Sequence, residues 1–234
     1  MNARFPGAAV VVALTIPMAG CVVPRPSYGD PWLHRSFYEE PRRELPRSVA
    51  VLPARAVTWT LREENNASWH AFDAEATARR ARGLDKALGS WASSQGAFDL
   101  HEMPVLEPEE LDILDAHLRL FPLVARAATG AGNGQGTPSF KLREFDYTLG
   151  PGLAWLVDRT GAEAGLFAFA EGIESSRHVY VALVELSSGD VLWLDDAKDP
   201  GLRNDEETAL RELVERAWKR YPGLNEFALV RKTS

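Results

Sequence analysis

His178 to Leu186 (HVYVALVEL) is apolar at nearly every position, and no other run constrains this chain as much. Strict alternation would mark a strand with one wet face; continuous apolar character marks a strand covered on both. Ser187-Ser188-Gly189-Asp190 supplies turn residues, and Val191-Leu192-Trp193-Leu194 brings the chain back. The spacing predicts a hairpin within a doubly covered sheet.

The flanking segments supply strands and helices for such a sheet. Ser48-Val49-Ala50-Val51-Leu52-Pro53 reads as a first buried strand, ended by proline. Val57-Thr58-Trp59-Thr60-Leu61 alternates like an edge strand, and Glu63 to Ser68 (EENNAS) reads as a polar loop. Residues 73–95 carry Ala81, Leu84, Leu88, Trp91 and Ala92 on one helical face, with Asp73 as N-cap and Gly96 as the stop. Their Arg79, Arg80 and Arg82 read as a solvated face. Phe98 to Met103 reads as a short strand. A second helix is expected over 109–128, opened by Pro108 and kinked or split by Pro122. A short helix follows over 151–160, closed by Gly161, then a strand over 163–170. The last helix, 204–221, has Asn204 as N-cap with Glu207 in a capping box, and Phe227 to Val230 reads as a final strand. This order predicts an α/β fold, a mixed β-sheet packed with about four helices in a single domain.

Hydrophobic residues make up 45% of the 234 and charged residues 25%, which excludes a disordered chain and a multi-spanning membrane protein. Lys and Arg total 26 against 33 Asp and Glu, a net charge of −7, so no nucleic-acid partner is expected. The single cysteine excludes an intrachain disulfide framework and a cysteine-based zinc site.

That cysteine, Cys21, ends a distinctive amino terminus. Arg4 precedes an apolar run from Ala8 to Ile16, then Pro17-Met18-Ala19-Gly20-Cys21. A positive start, a short apolar stretch and small residues read as a secretory signal, and the run is too short to span a bilayer. Residues 22–46 hold Pro24, Pro26, Pro31, Pro41 and Pro46 and read as a Pro-rich tether, reaching roughly 75 Å if fully extended. Trp32, Phe37 and Tyr38 are unusual for a bare linker; they either dock on the domain or form a partner-binding arm. The domains expected are therefore 1–21 signal, 22–46 tether and 47–234 folded body.

Met18-Ala19-Gly20-Cys21 resembles the bacterial lipobox, with Met where Leu is preferred. The resemblance implies lipidation of Cys21, which becomes the mature amino terminus and holds the chain to a membrane through its acyl chains. Val22 after it, rather than Asp, points by analogy to the outer membrane facing the periplasm. Val49-Ala50-Val51-Leu52-Pro53, the passage from Thr160 to Phe167 (TGAEAGLF), and Ala182 to Leu186 with Ser188 to Trp193 resemble a further group. It comprises CsgG, PelC, LpoB and the amino-terminal domain of TolB. The resemblance implies a TolB amino-terminal-domain-like sandwich. For function it implies a non-catalytic envelope scaffold or accessory in assembly or secretion, with envelope protein partners and a ring or other homo-oligomer. A periplasmic protein binding a small envelope component, and a hydrolase with a dispersed site, stand as alternatives.

No catalytic, cofactor or metal residues are assigned. Asp112, Asp115 and His117 do not share one helix face, and Asp195-Asp196-Ala197-Lys198-Asp199, read as a loop, lacks calcium-loop spacing. Gly130 to Ser139 matches no phosphate-binding pattern. No His-Glu-x-x-His or Gly-x-Ser-x-Gly motif occurs, and His34, His70, His101, His117 and His178 are scattered.

Overall fold

The computed structural model describes residues 32–39, 44–64, 67–132, 145–173, 176–199 and 205–221. The apolar hairpin is the middle of the fold: β7 (Arg177–Glu185) pairs antiparallel with both β6 (Ala164–Ile173) and β8 (Val191–Asp199). Alternate residues serve opposite faces. Val179, Val181 and Leu183 join Leu166, Ala168 and Ala170 in one core, while Tyr180, Ala182 and Val184 join Phe167 and Phe169 in the other. Two cores require two covering layers, and the continuous apolar run follows from that. Between Leu183 and Val184 of β7 the register against β8 shifts by one residue, and the extra β8 residue, Leu192, lies with Trp193 in the first of these cores.

The opening strand, β2 (Ser48–Val51), lies parallel to β6 at Val49 to Val51, and β3 (Arg55–Glu64) continues along β6 from Arg55 to Trp59. Pro53, between them, has no N–H to give the ladder. Asp85 receives the Ala54 N–H beside this break. Burial raises the Asp85 carboxyl above its ordinary range, and the Ala54 hydrogen bond opposes that shift. Beyond Trp59, β3 pairs only with β4 (Ala67–Phe72), which occupies part of the stretch expected as a loop. β5 (Asp99–His101) lies parallel to β2 on its other side.

Helix α2 (Ala74–Ser94), capped by the Asp73 side chain at 2.8 Å from Ala76 N, covers one face with α5 (Glu206–Trp218). Among the described residues the cap of α5 is Asp205, not Asn204, which lies outside them; Asp205 accepts from Glu207 N at 3.2 Å. Helix α3 (Pro108–Gly132), a 3₁₀ turn at Pro151–Leu153 and α4 (Trp155–Thr160) cover the other face. Pro122 does not split α3, which runs unbroken through it. Gly161 closes α4 in the left-handed region (φ 76), as expected of a helix stop.

The fold is α/β: one mixed sheet with helices on both faces. Within the stretch read as a tether, β1 (Trp32–Leu33) pairs antiparallel with β8, and α1 (Ser36–Glu39) follows. Leu33 and Phe37 are buried in the α2/α5 core, so this segment docks on the domain. The expected signal segment, Cys21 and Phe227 to Val230 lie outside the described residues.

Three tryptophans stack within that core. Trp218 stacks on Trp91 at 4.5 Å and on Trp193 at 4.4 Å, with Tyr221 against its edge. Trp91 comes from α2, Trp193 from β8 and Trp218 from α5, so the stack joins three elements far apart in sequence.

Candidate functional site

Strand register assembles the densest polar group. Glu171 faces His178 across β6 and β7, and Tyr180 faces Asp196 across β7 and β8. All four point to the α3 side, where Arg126 of α3 reaches them. Arg126 Nε donates to Glu171 Oε2 at 2.9 Å, and Tyr180 Oη donates to Glu171 Oε1 at 2.9 Å. His178 Nε2 lies 2.7 Å from Asp196 Oδ2, and its Nδ1 lies 3.8 Å from Glu171 Oε1. The imidazole also packs 4.0 Å from the Tyr180 ring, and the Arg126 guanidinium sits over Phe169 at 5.2 Å.

The electrostatics follow from this packing. Burial pushes the Tyr180 phenol well up, and the Glu171 and Asp196 charges add to it, so Tyr180 stays a donor. Burial also acts to raise the Asp196 carboxyl, but the hydrogen bond and charge of His178, with Lys198 and Arg220, outweigh it and hold Asp196 below the ordinary range. Glu171 is thus shared by a guanidinium and a phenol, and Asp196 by an imidazole. The hydroxyl in this arrangement, the Tyr180 phenol, is directed to Glu171 rather than to the imidazole. It clamps α3 to three strands.

Asp195 points to the opposite face and is 1% exposed. Its Oδ1 accepts from Asp196 N at 2.7 Å and from Arg220 Nη2, while Oδ2 has no partner. Burial pushes the Asp195 carboxyl up to about 7, against the pull of Arg220. The segment 195–199 is therefore part of β8 rather than a loop, and Arg177, itself 5% exposed, pairs with Asp199 at 3.4 Å.

A serine, a histidine and an aspartate also converge at the β2–β5 edge, where the sheet register brings Ser48 opposite Asp99. Ser48 Oγ lies 2.9 Å from His101 Nε2 and donates to Gly161 O at 3.0 Å. Asp99 Oδ2 is 3.8 Å from the same Nε2. A nucleophilic serine needs an unprotonated nitrogen facing it and a carboxylate on the other ring nitrogen. Here the Ser48 proton is directed to Gly161 and Asp99 approaches the wrong nitrogen, so the trio ties strand ends together.

The other sequence candidates fall elsewhere. Asp115 pairs with Arg55 and Arg119, and His117 lies 2.7 Å from Ile113 O through Nδ1. His34 is buried, with Nδ1 2.9 Å from Ser36 Oγ, and His70 is exposed on β4. Among the described residues, no three His, Cys, Asp or Glu are grouped to hold a metal. Arg80 is not solvated as expected: it is 2% exposed, donates to Glu206 at 2.7 Å, and reaches Gly172 O at 3.4 Å. Grooves between α2 and α5 are lined by Arg79, Arg82, Lys86, Asp205, Glu207 and Arg211. Residues 133–139 of the Gly-rich stretch lie outside the described residues, whereas Gly130 belongs to α3. No described helix is long and apolar enough to cross a membrane.

No family model and no curated protein matches the chain. Among solved structures it is similar to the PelC dodecamer from Paraburkholderia phytofirmans, with 12% identity and a TM-score of 0.34 over 75% of this chain and 86% of that one. It is similar to the C-terminal domain of LpoB from Salmonella enterica at 15% identity and a TM-score of 0.30, over 68% of this chain and 86% of that one. Lipoprotein GNA1162 from Neisseria meningitidis gives 15% identity and a TM-score of 0.32, over 75% of this chain and 96% of that one. PelC and LpoB, members of the group that three sequence passages resemble, are thus among its structural neighbours. At these scores the likeness carries nothing about partners or activity.

Proposed function

We propose that this chain is a bacterial envelope lipoprotein, anchored by acyl chains on Cys21, that works as a non-catalytic scaffold or accessory in envelope assembly or secretion. The lipobox-like Met18-Ala19-Gly20-Cys21 carries the reading: the chain's one cysteine stands where a short apolar signal ends. Two or more acyl chains hold a protein stably on a bilayer, and confinement there raises the local concentration of envelope partners. The outer membrane, facing the periplasm, is the leaflet this reading favours.

The docked β1 sharpens the picture of the anchor. Residues 22–31 alone separate Cys21 from the pairing of Trp32 with Leu194, so the span is at most about 40 Å rather than the roughly 75 Å of a free 22–46 tether. The domain would then work close to its own membrane. Supporting a role through protein contacts, α3 displays Ile113, Leu120 and Leu123 to solvent, the last 60% exposed. The hydrolase reading gains nothing from the Ser48–His101–Asp99 geometry. A binder of small envelope components calls for a deep apolar cavity, and the α2/α5 grooves are lined by charged side chains.

The test is Cys21→Ser with fractionation and intact mass. The native chain should sit in the membrane fraction, begin at residue 21 and carry acyl mass; the variant should be released. An unmodified Cys21 thiol, or a variant still held in the membrane, would overturn the anchor.

A further inference from the structure

Strand β4 is an edge without the usual protection. It pairs with β3 through six consecutive positions, from Trp59↔Phe72 to Glu64↔Ala67, and with no other described strand. Half of its backbone N–H and C=O groups therefore face away from the sheet. Natural edges are blunted by charge, proline or a bulge. Ala67-Ser68-Trp69-His70-Ala71-Phe72 contains no Asp, Glu, Lys, Arg or Pro, and its register is unbroken. β3 leaves β6 after Trp59, and with Leu61 to Glu64 and Ala67 to His70 all exposed, the outer part of this ribbon is bare on both faces. Phe72 is 60% and Leu61 55% exposed on one face, and Trp69 is 43% exposed on the other.

We propose that β4 is a dimerisation edge whose occupant is β4 of a second copy of this chain, paired antiparallel about a two-fold axis. The symmetry is restrictive. A two-fold axis normal to the sheet preserves its faces, so only residues of like parity can stand opposite one another. With the axis at Trp69, Trp69 meets its own counterpart, Ser68 meets His70, and Ala67 meets Ala71. Aromatic faces aromatic, a hydroxyl faces an imidazole, and small faces small; no like charges are opposed. Moving the axis to His70 would instead set Ser68 against Phe72 and Trp69 against Ala71. The strand is thus self-complementary in one register and mismatched in the next. The result is a four-stranded ribbon joining two sheets, with Leu61 and Phe72 from both copies along one surface. The inference does not depend on lipidation at Cys21.

The test uses the full chain in detergent with Cys21→Ser, so that an introduced thiol is the only one. Trp69→Cys under mild oxidation should give a disulfide-linked dimer, because directly opposed residues lie within bridging range. A thiol at Leu123, more exposed than Trp69 but on α3, should stay monomeric. Sedimentation of the Cys21→Ser chain should give a dimer, and Trp69→Lys, which sets two cations at the axis, should weaken association at least tenfold with the circular dichroism unchanged. Since Trp69 is half-exposed, neither substitution touches the core. A chain that sediments as a monomer to about 100 μM, equal cross-linking at Leu123, or a dimer indifferent to Trp69→Lys would each overturn the proposal. Dissociation by Leu123→Lys instead would assign the contact to α3 and overturn it too.

Discussion

Asp195 and Asp196 are neighbours in β8, yet their carboxyls stand on opposite faces of the sheet and their acidities move in opposite directions. Asp195 is pushed up to about 7, chiefly by burial. The folded state therefore holds a proton there that the unfolded chain releases near pH 4, and this group makes the protein less stable as pH rises from about 4 to 7. Asp196 is held below the ordinary range, so its contribution is present above pH 4 and lost as the medium turns more acidic. Asp195→Asn should flatten the neutral limb of a stability-against-pH curve by about 2–4 kcal/mol. Asp196→Asn should act on the acid limb. Urea midpoints measured from pH 3 to 9 check both; an unchanged neutral limb in Asp195→Asn would contradict the first.

Arg80 joins α2 to α5 and to the end of β6, through Glu206 at 2.7 Å and the Gly172 and Ile173 carbonyls at 3.4 and 3.5 Å. Removing one partner of a buried pair leaves the other uncompensated. Arg80→Met should cost about 3 kcal/mol, and Glu206→Gln in the Arg80→Met background should add little. A double-mutant cycle by denaturant unfolding reads the coupling.

Trp218 lies between Trp91 and Trp193 in a fully buried stack. Trp218→Ala should cost about 3–5 kcal/mol, while Trp218→Phe, which keeps an aromatic plane, should cost less. Thermal unfolding gives the order. The near-ultraviolet circular dichroism of Trp218→Phe should lose intensity although the far-ultraviolet spectrum is kept.

Pro122 sits inside α3 with no N–H to give. Pro122→Ala should stabilise the protein by about 1–2 kcal/mol, since the helix gains a hydrogen bond while the unfolded chain gains some freedom. A fall in the urea midpoint would show that the ring's packing outweighs the lost bond.

The central sheet was legible because burial writes itself into residue order: β6, β7 and β8 carry apolar residues on both faces, and α2 and α5 carry stripes. β4 was not legible for the same reason. Its residues are almost all exposed, so no alternation distinguishes Ala67 to Phe72 from a loop. Pro122 misled because neighbouring turns and tertiary packing hold α3 together across one missing bond. The polar clamp was illegible in spacing, since Arg126, Glu171, His178 and Asp196 meet only through strand register and helix packing. One signal did exist: Glu171 and His178 place charged or titratable groups in strands whose neighbouring positions on that face are apolar or aromatic. Cys21 and its surroundings are read from sequence alone.

The two-residue pairing of β1 with β8 has a mechanical consequence. If the chain is moored at Cys21, any pull from the bilayer arrives first at Trp32 and Leu33, at the margin of the sheet. This pairing and the buried Phe37 behind it would let go before the Trp218 stack feels load, and their release frees residues 32–44, about 45 Å of slack. β1 would act as a fuse: the domain could travel away from its membrane without unfolding and settle back when the tension falls. A pulling experiment should show one short, reversible step ahead of the main rupture.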